Sequence, residues 1–117
     1  MKKKILCFDL DGVICKTKGN SYHLSKPNKQ SIKKINELYQ KGNYIKIFTA
    51  RFMGRSKENK SAAIKKGFTL TEKQLINWNL DYHELILGKP SYDLFIDDKS
   101  IFFNKNWIKK IDSYLKK

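Results

Sequence analysis

Residues 5–13 read Ile-Leu-Cys-Phe-Asp-Leu-Asp-Gly-Val, and this stretch decides the fold. Its apolar first part, residues 5–8, has the length of a buried strand. Residues i and i+2 of a strand point to the same face, so Asp9 and Asp11 are predicted to lie side by side where the strand ends. Gly12 lets the backbone turn away sharply. Two carboxylates this close repel each other unless a cation or a shared proton compensates them. Taken alone, the pair fits a ligand site or a solvated acidic turn equally well.

The composition indicates one globular domain over residues 1–117 with a strong positive charge. The net charge is +14, and it comes from 23 lysines and two arginines. A basic domain can bind nucleic acid. However, the lysines are scattered through every predicted helix and both termini, and arginine is the usual residue for phosphate and base recognition. The sequence therefore disfavours a nucleic-acid partner and favours attraction of small anionic substrates.

Neither a membrane segment nor a disulfide framework is predicted. No apolar stretch approaches the length of a membrane span. The amino-terminal lysines lead into an apolar run that is too short for a secretory signal and ends in acids. Cys7 and Cys15 have no metal-ligand spacing and are expected to be free thiols. We therefore predict a cytoplasmic protein without a membrane partner.

Strand and helix signals alternate along the chain. After the first strand, residues 13–28 form a polar stretch, and residues 50–70 are predicted as a long polar loop with one helical turn near 61–65. The remaining elements are predicted as helices over 31–41, 71–79 and 104–116 and strands over 44–49, 82–87 and 93–97. The order β-α-β-α-β-β-α indicates an α/β protein: a three-layer, Rossmann-like fold with a small, mostly parallel sheet.

Each predicted strand ends in polar groups that suit phosphate chemistry. The carboxyl ends of parallel strands meet at one edge of the sheet, where ligands bind in open α/β folds. This edge is predicted to collect Asp9 and Asp11 from the first strand, Thr49, Ala50 and Arg51 from the second, Lys89 after the third, and Asp97 and Asp98 from the fourth.

Four segments together resemble the haloacid dehalogenase-like phosphatase superfamily. They are Phe-Asp-Leu-Asp-Gly-Val at 8–13, Phe-Thr-Ala-Arg at 48–51, Gly-Lys-Pro at 88–90 and Ile-Asp-Asp-Lys at 96–99. All four occur in the family's order. The run from 82 to 91 and the Thr-Ala-Arg segment are also similar to short bacterial phosphatases of capsule and surface-polysaccharide biosynthesis.

The resemblance implies a role for each of these residues. Asp9 would attack phosphorus and form an aspartyl-phosphate, and Asp11 would transfer protons to the leaving group and from water. Mg²⁺ would be held by Asp9, the carbonyl of Asp11, and Asp97. Lys89 would balance charge on the phosphorylated aspartate, and Asp98 would orient Lys89 or a metal-bound water. The candidate substrate contacts are Gly12, Thr49, Ala50 and Arg51.

The intervals between the motifs are too short for the cap domain that many relatives carry. We therefore expect an open site, closed by the flap at 13–24, the 51–70 loop or a neighbouring subunit. Capless relatives often form oligomers, so a dimer or tetramer is compatible with the sequence.

The expected function is Mg²⁺-dependent hydrolysis of a small phosphomonoester, a sugar phosphate by preference. One alternative is a nucleic-acid 3′-end phosphatase with the same chemistry. A second is a receiver-like phospho-signalling domain, although no strand-end aspartate lies between Asp11 and Thr49, where a receiver carries its phosphoacceptor. A third is a noncatalytic binding protein, which the intact Asp9 and Asp11 argue against.

Overall fold

The structure is a computed structural model that describes residues 3–116, and it is an α/β fold as predicted. A small parallel sheet is combined with three α-helices, and a short antiparallel hairpin follows the first strand. In chain order the elements are β1 (Ile5–Asp9), β2 (Cys15–Lys16), β3 (Lys26–Pro27), α1 (Lys29–Gln40), β4 (Tyr44–Thr49), α2 (Lys60–Asn77), β5 (Glu84–Leu87) and α3 (Trp107–Leu115).

The main sheet has the strand order β1-β4-β5, and both neighbouring pairs are parallel. The register places Asp9 opposite Phe48 and Thr49 opposite Leu87. The carboxyl ends of the three strands therefore meet at one edge. Strand β4 has the predicted bounds, β1 extends one residue further than predicted, to Asp9, and β5 begins two residues later than predicted.

Helices α1 and α3 form where the sequence predicts them. The side chain of Asn28 accepts a hydrogen bond from the Ser31 amide at 3.1 Å, and this N-cap starts α1 at Lys29. The helix buries Ile35 and Leu38 in the main core. Trp107 of α3 packs edge-on against Phe8, with ring centroids 6.1 Å apart, and so attaches this helix to the edge strand β1.

The predicted polar loop over 50–70 is wrong for its second half. An 18-residue helix starts at Lys60, behind Asn59, whose side chain accepts a hydrogen bond from the Ala62 amide at 2.9 Å. Thr71, the first residue of the helix predicted over 71–79, lies buried in the interior of this longer helix. The lysine-rich first turns hide the apolar periodicity that normally reveals a helix. The cap at Asn59 is the local signal that sequence reasoning missed.

The predicted strand over 93–97 is also wrong. Residues 88–106 form no helix or strand, and most apolar side chains of the segment are exposed, with Ile96 88% exposed. The prediction rested on a short apolar run between two acids, in which Leu94 and Ile96 would share one face of a strand. In the structure neither side chain is buried, so the pattern lacks the packed face that would stabilise a strand.

Residues 12–28 form a short hairpin after β1 that includes the flap predicted at 13–24, and the whole of 12–28 is called the flap from here on. Its two short strands pair through Cys15 with Pro27 and Lys16 with Lys26. Within residues 3–116, the flap and α1 lie between β1 and β4, and α2 lies between β4 and β5. No helix in this part of the chain is long and apolar enough to cross a membrane.

Candidate active site

Asp9 and Lys89 meet at the carboxyl edge of the sheet. Lys89 Nζ lies 3.4 Å from Asp9 Oδ2, although the residues are 80 positions apart in sequence. The backbone places the lysine there because its amide donates a hydrogen bond to the carbonyl oxygen of Thr49 at 3.1 Å. Gly88 precedes it at φ +100°, a conformation that favours glycine. The end of β4 and the turn after β5 thus position the cation against β1.

Burial dominates the electrostatics of Asp9. It raises the pKa of this carboxyl above its ordinary value, while Lys89 and the Leu10 amide act in the opposite direction. Burial also acts to lower the pKa of Lys89, but Tyr92 and the Asp9 carboxylate outweigh it and the net shift is upward. The Lys89 side chain is 11% exposed and that of Asp9 is 39% exposed, so solvent reaches the carboxylate more easily than the ammonium.

Asp11 is held by an arginine rather than by a second lysine. Arg51 Nε lies 3.2 and 3.0 Å from the two carboxylate oxygens, and Nη2 lies 3.0 Å from Oδ1. Thr17 of the flap donates a further hydrogen bond to Oδ1 at 2.5 Å. A guanidinium that contacts both oxygens fixes the plane of a carboxylate. Asp11 is therefore held in one orientation beside the end of β1.

The position of Arg51 corrects one sequence-based expectation. Its side chain is 0% exposed, so it forms part of the interior instead of offering a surface contact to substrate. Thr49 is also buried, and its Oγ1 accepts a hydrogen bond from the Arg51 amide at 3.1 Å. The amide of Gly12 donates to the carbonyl of Cys15 at 2.8 Å. Ala50, partly exposed, follows directly after β4 at the same edge.

The donor set for Mg²⁺ is incomplete in this arrangement. Asp97 and Asp98 are exposed in the irregular segment after Lys89, and residues 3–116 contain no group of three Asp, Glu, His or Cys side chains that could hold a metal ion. Asp9 and Asp11 each face a protein cation instead. The residues brought together here therefore do not fit the three-ligand set that the resemblance implies.

Sequence reasoning missed the residues that surround Arg51. Its Nη1 donates to Gln74 Oε1 at 2.5 Å and its Nη2 donates to Ser25 Oγ at 3.0 Å. The Tyr22 ring lies under the guanidinium, 5.0 Å from Cζ to the ring centroid. One signal was available: the chain has only two arginines beside 23 lysines, and arginine is the residue of choice for buried ion pairs.

Comparison with known proteins identifies structural neighbours. No protein-family model and no curated protein matches the sequence. The crystal structure of an MCSG target from Vibrio cholerae is similar with a TM-score of 0.79 and 25% identity, over 97% of this chain and 99% of that one. A chain of the Pnkp1/Rnl/Hen1 complex gives a TM-score of 0.53 at 20% identity over 97% of this chain.

A chain of the Pnkp1/Rnl/Hen1 RNA repair complex also gives a TM-score of 0.53, at 17% identity over 98% of this chain. The present chain spans 34% and 32% of the lengths of these two larger neighbours. The three likenesses agree on the architecture. The chain has the Rossmann-like α/β fold of these structures.

Proposed function

We propose that this protein is a phosphatase that hydrolyses phosphomonoesters through Asp9. The observation that carries the proposal is the pairing at the sheet edge: Lys89 Nζ lies 3.4 Å from the Asp9 carboxylate, and a second carboxylate, Asp11, is clamped two residues further along the chain. A carboxylate is a recognised covalent catalyst in phosphoryl transfer. A buried ammonium beside it suits the negative charge of a phosphoryl group.

The proposed reaction has two halves. In the first, a carboxylate oxygen of Asp9 forms a bond to phosphorus while the bond from phosphorus to the ester oxygen breaks. The leaving alkoxide takes a proton from Asp11, which enters this half as the carboxylic acid and leaves it as the carboxylate. In the second, water attacks phosphorus and gives a proton to Asp11, and the bond between Asp9 and phosphorus breaks to release inorganic phosphate. Lys89 stabilises the charge on the phosphoryl oxygens in both halves. Arg51 keeps Asp11 in place throughout.

The substrate and cofactor parts of the proposal come from the family resemblance. A small sugar phosphate of surface-polysaccharide biosynthesis is the substrate class we propose. Mg²⁺ is the proposed cofactor; when bound, it would neutralise charge on the substrate phosphate. No step above depends on it, because the described residues do not assemble its three-ligand set.

The proposal is tested with purified protein, p-nitrophenyl phosphate and a panel of sugar phosphates, assayed with Mg²⁺ and with a chelator. We expect Asp9→Asn to abolish phosphate release. Asp81→Asn is the matched control, since this residue precedes β5 at the opposite end of the sheet. Undiminished activity of Asp9→Asn would refute the mechanism.

A nucleic-acid 3′-end phosphatase is the second candidate. Two observations favour it: the structural likeness to a chain of the Pnkp1/Rnl/Hen1 RNA repair complex and the net charge of +14. Binding of a polyanion weakens steeply with salt because counterions are released from the phosphates. A preference for 3′-phosphorylated oligonucleotides over sugar phosphates, lost as the salt concentration rises, would favour this candidate over the first.

A further inference from the structure

Arg51 is the most enclosed charged group near the proposed site. Its side chain has 0% exposure, and Asp11 is its anionic partner, with Nη2 3.0 Å from Oδ1. The remaining acceptors are neutral. Nη1 donates to Gln74 Oε1 at 2.5 Å and to Thr71 Oγ1 at 3.4 Å, and Nη2 donates to Ser25 Oγ at 3.0 Å and to Cys15 Sγ at 3.7 Å. The guanidinium is thus fixed from three sides, by the end of β1, by the flap and by α2.

Gln74 connects two of these sides. Its Oε1 accepts the hydrogen bond from Arg51, while its Nε2 donates to the carbonyl oxygen of Tyr22 at 2.6 Å. Tyr22 belongs to the flap, and its ring stacks under the same guanidinium. One amide on α2 therefore bonds to the arginine and to the segment that covers it. A glutamine suits this position because its side chain has both a donor and an acceptor.

The hydrogen bonds that Asp11 accepts show how Arg51 fixes the orientation of its carboxyl group. Its Oδ1 accepts from Thr17 and from Arg51, whereas Oδ2 receives Arg51 Nε as its one donor from the described residues. The carboxyl is 28% exposed, so part of it faces solvent at the strand end. An arginine held in place by Gln74 would therefore keep the Asp11 carboxyl in one orientation.

We propose that Gln74 is a positioning residue that orients Asp11 through Arg51 and ties this orientation to the flap. The effect on catalysis, which we call the kinetic half of this inference, rests on the proposed phosphatase function. The link between Gln74 and the flap, the structural half, does not. Small misplacement of a catalytic group far from the bond being broken costs on the order of 10- to 100-fold in rate. The effect should appear in kcat, since Gln74 contacts the machinery and not the substrate.

Two substitutions test the two hydrogen bonds of Gln74 separately, the one from Arg51 and the one to the Tyr22 carbonyl oxygen. Gln74→Met keeps the length of the side chain but removes both its acceptor and its donor. Gln74→Glu keeps an acceptor for Arg51 but has no donor for the Tyr22 carbonyl. Gln40→Met, at an exposed glutamine in the last turn of α1, is the matched control.

We expect Gln74→Met to lower kcat about 10-fold or more with KM changed less than about twofold. Gln74→Glu should restore kcat to within about threefold of the original protein, because the acceptor for Arg51 returns. Hydrogen exchange of the flap amides should quicken in both variants, since the bond to Tyr22 is lost in both. Gln40→Met should change neither readout.

The outcomes distinguish this inference from the proposed function. If the original protein releases no phosphate from any monoester, the proposed function fails, and flap exchange alone decides the structural half. If the protein is active and Gln74→Met keeps its kcat, or if the Met and Glu variants lose kcat equally, Gln74 does not act through Arg51. Unchanged flap exchange in Gln74→Met would overturn its link to the flap.

Discussion

Replacing Asp11 by alanine is expected to destabilise the fold as well as to abolish activity. Arg51 is completely buried, and Asp11→Ala would leave its guanidinium with neutral acceptors alone among the described residues. Removing one partner of a buried ion pair costs about 3–5 kcal/mol. Asp11 is 28% exposed and Gln74 stays bonded to the arginine, so we expect the lower end, about 3 kcal/mol.

A loss of that size is easy to measure in a domain of this length. Total unfolding free energies are about 5–15 kcal/mol, and about 3 kcal/mol corresponds to a fall in Tm of roughly 10 °C. Urea denaturation of Asp11→Ala, Arg51→Met and the double variant forms a complete mutant cycle. Once the arginine is gone, Asp11→Ala should cost much less, which gives a coupling free energy of about 2 kcal/mol or more. Strictly additive effects, or an Asp11→Ala variant as stable as the original protein, would refute the buried pair.

Replacing Asp9, the last residue of β1, is expected to have the opposite effect on stability from replacing Asp11. Burial raises the pKa of Asp9 in the folded state, so its contribution to stability is present below its unfolded pKa and is lost as the pH rises through the folded pKa. At neutral pH, Asp9→Asn should therefore unfold at the same or a higher urea concentration than the original protein, while losing all activity. A stability profile in which Asp9→Asn falls with pH as steeply as the original protein would contradict this sign.

The sheet and its functional edge could be predicted because their signals are local. Apolar runs bounded by turn residues define the three strands, and parallel pairing then brings Asp9 and Lys89 together without any knowledge of the loops. The same reasoning failed for residues 93–97, because a short apolar run forms a strand only where a neighbouring element buries at least one of its faces. In the structure, the side chains of Leu94 and Ile96 are exposed to solvent.

The role of Arg51 could not be derived from its position after a strand. Its partner Asp11 lies 40 residues away in the sequence. Its other partner, Gln74, lies on α2, and the lysine-rich first half of this helix was predicted to be a polar loop. The burial of the Arg51 side chain depends on the end of β1, the flap and α2 together. The choice of arginine in a chain of lysines is therefore informative only when the enclosing elements are known.

Two further predictions concern α2 and the metal. Gly67→Ala would place a Cβ 2.1 Å from the Phe52 ring, so we expect a loss of about 1–3 kcal/mol in urea denaturation, whereas Gly54→Ala, with open space at its Cβ, should change little; equal stabilities would disprove this packing. For the metal, the family resemblance implies that chelation abolishes phosphate release and that Asp97→Asn raises the Mg²⁺ concentration needed for half-maximal activity. Asp93→Asn, at an exposed acid in the same segment, is the control, because it removes the same charge without the implied ligand. An identical Mg²⁺ response of the two variants would exclude Asp97 from the metal site. Asp9 and Asp11 would then be the acidic side chains at the sheet edge, each paired with its own protein cation.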